Sequence, residues 1–66
     1  MQYFDYESIA KQADISSIKL TELGKIVRQE FPQDDMMYEL HLLRACMAIQ
    51  QGYITIDQAI QSERAA

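Results

Sequence analysis

The residues able to do chemistry in this chain are few: one histidine, one cysteine and ten carboxylates. His41 and Cys46 are the only pair that could form a thiolate–imidazolium couple, which requires sulfur and ring nitrogen within hydrogen-bond reach. Five residues apart on one helix, they point to different faces, so the spacing predicts a small buried thiol and a solvated imidazole. A dinuclear metal bundle needs Glu-x-x-His pairs on facing helices, and here the histidine follows Glu39 by two positions. Asp34, Asp35 and Glu39 cluster near a helix start, where capping accounts for them, and no calcium-loop spacing follows. A glycine-rich phosphate loop is also missing. The expectation is a protein with no catalytic residues, no metal site and no cofactor, one that acts by binding a macromolecule.

The elements that must position any binding surface are legible from sparse punctuation, two glycines and one proline. Asp5 caps a first helix in which Tyr6, Ile9, Ala10 and Ala13 recur at helical spacing, and the pattern stops near Asp14. Ser16 or Ser17 caps a second, whose stripe Leu20, Leu23, Val27 and Phe31 ends at the Phe31-Pro32 step. Gly24, on the edge of that stripe, suggests a close helix approach, since glycine there costs up to about 1 kcal/mol relative to alanine. Asp34 or Asp35 caps the third and longest helix, closed by Gly52. Thr55 and Gln58 form a capping box, with Ile54 before it, for a short fourth helix packing by Ile56, Ala59 and Ile60. The segment Ser62 to Ala66 has nothing to bury and should fray. The sequence therefore predicts an all-α fold, a small bundle of four helices in one domain spanning residues 1–66.

Sixty-six residues give a small core. A chain of this size buries only about 60% of the surface it exposes when unfolded, and one such core rarely supplies more than roughly 3–5 kcal/mol. A single cysteine forms no intramolecular disulfide and fits a reducing compartment. Self-association or a partner is the remaining support, and a homodimer is expected. The opening residues lack a basic or apolar leader pattern, and no apolar run approaches the ~20 residues of a membrane span. The expectation is a soluble cytoplasmic protein with no membrane partner. The net charge of −4 is concentrated in the C-terminal half and opposes generic polyanion binding.

Two surfaces could carry recognition. On a helical wheel the third helix is apolar on two sides. Met36, Leu40, Leu43 and Met47 form one line, and Tyr38, Leu42, Ala45, Cys46, Ile49 and Tyr53 form another, with Glu39 and Gln50 along one seam and His41, Arg44 and Gln51 towards solvent. One line can be core and the other an interface, or three helices can cover both. The Met-rich line, with Met37 beside it, has the adaptable thioethers of repacking surfaces and is the leading candidate for binding a protein partner.

The second surface lies in Tyr6 to Leu23, which resembles the helix-turn-helix pattern of small bacterial and phage regulators. Ala10 stands at the small-residue position of the first helix. Ile9, Ala13, Ile15, Leu20 and Leu23 fill the apolar positions, and Ser16 takes the N-cap place before the second helix. Asp14 stands where glycine is usual in the turn. The resemblance implies that the second helix is a recognition helix entering a major groove, with Ser17, Thr21, Lys25 and Arg28 facing DNA. Glu22 and Glu30 on the same helix, and the acidic balance, favour the protein-binding reading, with a DNA-binding regulator as the alternative.

Overall fold

A computed structural model describes residues 2–65, and its regular structure is four helices: α1 (Tyr6–Gln12), α2 (Ser17–Glu30), α3 (Asp35–Gln50) and α4 (Ile56–Ala65). No strand occurs among the described residues, and the helices pack on one another as an all-α bundle. Side chains supply the helix starts. Asp5 accepts from the Ser8 amide (3.2 Å), Ser16 from Lys19 (3.2 Å) and Asp34 from Met37 (3.0 Å). At α4 the box is reciprocal, the Gln58 amide donating to Thr55 Oγ1 (3.1 Å) and the Thr55 amide to Gln58 Oε1 (2.9 Å). Each cap is worth about 1 kcal/mol.

Two helices end in the same hydrogen-bonded turn. After α3, the amides of Gly52 and Tyr53 donate to the carbonyls of Ile49 and Ala48, with Gly52 at φ +83°. After α1, the amides of Asp14 and Ile15 donate to Lys11 and Ala10, with Asp14 at φ +60°. This is the Schellman arrangement, and at the second site an aspartate takes the left-handed conformation that glycine adopts without cost. The turn swings the chain off the wheel of α3, so Tyr53 does not extend its apolar stripe and is 77% exposed.

α3 is the common partner. α1 packs on it from one side, while α2 packs against both α3 and α4. The main core joins Leu23 and Val27 of α2, Leu42 of α3, and Ala59 and Ile60 of α4, with Tyr38, Ala45 and Ile49 packed around it. Ala10 of α1 and Cys46 of α3 are also buried. Of the two apolar lines expected on α3, the one through Leu42 and Cys46 is therefore the core. Gly24 is buried, and a Cβ there would stand 3.2 Å from the Tyr38 hydroxyl, which is the close approach its position suggested.

Two further expectations are corrected. α4 does not fray at Ser62 but runs to Ala65; Ala66 lies outside the described residues. Glu63, Arg64 and Ala65 suit a helix, and Arg64 complements its C-terminal dipole while pairing with Glu22. Glu39, placed in the polar seam, is 8% exposed and accepts from the amides of Tyr3 (2.6 Å) and Phe4 (2.9 Å). The carboxylate pins the segment preceding α1 onto α3. Hydrogen bonds to a charged acceptor contribute about 1.5–3 kcal/mol, a large part of the stability of so small a domain. Glu39→Ala should therefore destabilise by about 2 kcal/mol, and Glu39→Gln, which keeps an accepting oxygen, by clearly less. Urea titrations of the three proteins check this, and equal losses for both variants would show that the acceptor role is not what matters.

Candidate functional site

The first candidate surface is the other line of α3. Met36 (48% exposed) and Met47 (39%) are open to solvent, while Met37, Leu40 and Leu43 are half-buried. Tyr3, 48% exposed, lines a shallow groove together with Phe31, Pro32 and Met36. The line is thus apolar, half-buried along its middle and open to solvent at its two ends.

The second candidate surface lies on α2. Ser17, Thr21 and Lys25 are exposed and border one shallow depression with Ile18 and Glu22. Arg28 is held differently. Its guanidinium donates to Asp35 (2.9 Å) and to the Phe31 carbonyl (3.3 Å), and it lies 3.7 Å above the centre of the Tyr38 ring. It is half-buried and ties α2 to the start of α3, so only three of the four residues expected to face DNA stand free of such contacts. Lys25 makes no ion pair among the described residues.

A third cluster was not anticipated. His41 is partly exposed but does not stand free in solvent. Its Nε2 is 2.6 Å from Glu63 Oε1 and 4.0 Å from Glu30 Oε2, and its ring lies 5.7 Å from that of Phe31. The last turn of α2, the middle of α3 and the end of α4 thus bring two carboxylates to one imidazole nitrogen. The Glu30 carboxyl is raised above the usual range, first by a hydrogen bond with Glu63, then by burial and the Glu63 charge. Sequence spacing could not disclose this, because the three residues belong to three helices and Glu63 fell in the segment expected to fray.

Cys46 is wholly enclosed, and burial pushes its thiol up to about 11, so it is uncharged at neutral pH. Tyr6 is likewise raised to about 12, chiefly by burial and then by the neighbouring Tyr38. No helix among the described residues is long and apolar enough to cross a membrane. Comparison with family models, curated proteins and solved structures finds no match to this chain.

A carboxyl raised in the folded state binds its proton more tightly there than when unfolded. Its contribution is favourable below the unfolded value near 4.5 and is lost as pH rises through the folded value. Glu30→Gln, which removes one of two facing charges, should therefore raise the melting temperature at pH 7 to 8 in chelator-containing buffer. The gain should vanish by pH 4. A pH-independent difference in thermal melts would mean that the Glu30–Glu63 contact is not its source.

Proposed function

We propose that this chain is a self-associating protein–protein interaction module, an adaptor or regulator whose contact face is the α3 line Met36, Leu40, Leu43 and Met47, with Met37 beside it. The observation that carries the reading is that Met36 and Met47, at the two ends of this line, are exposed although α3 packs against all three other helices. Its residues recur at intervals of four, three and four, the seam of a two-helix packing, in which each side chain sits between those of a facing helix. The occupant that best fits is therefore a helix, and we assign it to α3 of a second copy. A two-fold axis makes one patch serve both partners, and a core this small gains from burying the face. Methionines at the open ends let the contact adapt.

Sedimentation over a range of concentrations tests this. The wild-type chain should pass from monomer to dimer, and Met47→Lys or Met36→Lys should weaken the dimer tenfold or more while leaving the helical circular dichroism intact. A wild-type monomer up to the solubility limit overturns the proposal. So does loss of helicity in both lysine variants, which would make the line part of the core.

One observation favours a second reading, DNA recognition by α2. The tight left-handed turn at Asp14 and the Ser16 cap leave Ser17, Thr21 and Lys25 exposed in a row on a helix that directly follows α1. Binding would rest on phosphate contacts and be strongly salt-dependent. A gel shift with pooled random duplexes, at low and then physiological salt, should show a sequence-selective complex that Lys25→Glu abolishes; no complex at either salt, with the protein folded, removes this reading.

A further inference from the structure

We infer that Glu30, His41 and Glu63 form a binding site for a divalent transition-metal cation of the zinc type, one that would link α2, α3 and α4. One imidazole nitrogen and one oxygen from each carboxylate all lie within 4.8 Å of one another. The same nitrogen, Nε2, faces both carboxylates.

Zinc takes nitrogen at about 2.0–2.1 Å and carboxylate oxygen at about 2.0–2.2 Å, so its ligand atoms stand roughly 3.4 Å apart in a tetrahedron. The two separations from Nε2 here, 2.6 Å and 4.0 Å, bracket that value. The adjustment a metal would require is within an ångström or so of these separations, the range that rotation of long glutamate side chains covers. Glu30 and His41 are more than a third exposed and Glu63 is 18% exposed, so an ion can enter from solvent and water can complete its shell.

The charge pattern points the same way. Asp57, Asp35 and Glu22 are each paired with a lysine or arginine. Glu30 and Glu63 instead face each other and a neutral-capable ring, with no lysine or arginine within 4.0 Å among the described residues. Arg44 borders the groove beside His41 and Glu63 and sets a modest opposing charge. The donor set selects the ion, because an imidazole with two carboxylates suits zinc or a neighbouring transition metal. Calcium requires six to eight oxygens, and magnesium prefers octahedral oxygen.

The test is titration of zinc chloride into the full chain, freed of metal by chelator, in a weakly coordinating buffer at pH 7.5. Calorimetry should give one ion per chain with Kd on the order of micromolar. At a hundredfold excess over Kd the melting temperature should rise by about 20 °C. His41→Ala and Glu30→Gln should each weaken binding at least tenfold, and Glu30→Gln, altering a surface carboxyl, serves as the variant that keeps the fold. Millimolar magnesium should neither bind nor displace zinc. Absence of saturable zinc binding up to 100-fold above that Kd overturns the assignment. Zinc affinity unchanged in Glu30→Gln and His41→Ala, or magnesium binding as tightly as zinc, overturns it as well, because the ion would then be held by scattered surface carboxylates.

Discussion

Everything in this fold hangs on α3 being enclosed along the strip that runs through Leu42 and Cys46. In a chain this short only one helix can be surrounded, and the others must each find a place on it. α2 and α4 share the Leu42 side through Leu23, Val27 and Ile60, and reinforce each other. α1 is a seven-residue helix whose packing partner is α3, and a helix of that length does not persist alone in water. Its position depends on what holds the chain before and after it. Behind it is the Asp14 turn; ahead of it is Glu39, whose carboxylate collects two amides that would otherwise face an apolar surface. A buried charge is tolerated there because it is hydrogen-bonded on arrival.

The legible part of the structure was the local part. Caps at Asp5, Ser16, Asp34 and Thr55, the stop at Phe31-Pro32 and the exit at Gly52 each involve residues a few positions apart, and the chemistry of a cap is written in its own tetrapeptide. The apolar periodicity of α3 likewise disclosed two lines, though not which was core. What sequence could not give was pairing over distance. Glu39 reads as a surface residue until the main chain 35 positions earlier arrives beside it. Arg28 reads as a free cation until Asp35 and Tyr38 close over it. Glu63 reads as part of a loose end until His41 and the helix beneath hold it. All three errors have one cause: helical wheels rank faces by hydropathy and cannot rank them by what a neighbouring helix brings.

Electrostatics in this protein divides into two kinds. Lys19–Asp57 and Arg28–Asp35 link helices across open solvent, and such exposed pairs contribute at most about 1 kcal/mol. Their use is in orientation, pinning the start of α4 to α2 and the start of α3 to the end of α2. The carboxylates around His41 are arranged the opposite way, with like charges brought together at the place where three helices meet. Opposite-charge pairs and a like-charge cluster thus coexist in the same small molecule, and Met36, at one end of the α3 line, shares a shallow groove with Glu30 and Asp35.

The enclosure of Cys46 gives the molecule an internal clock. It is the only sulfhydryl in the chain and has no exposed surface in the folded state. An alkylating reagent in solution can reach it only when α3 parts from its neighbours, so the rate of modification counts openings of the bundle rather than the reactivity of sulfur. Since Cys46 sits on the enclosed strip of α3 where the other helices converge, a single chemical reading follows the cooperative unit as a whole. Anything that holds the helices together, whether a second copy or a bound ion, would slow that clock, and its slowing could be timed on the native thiol without an engineered reporter.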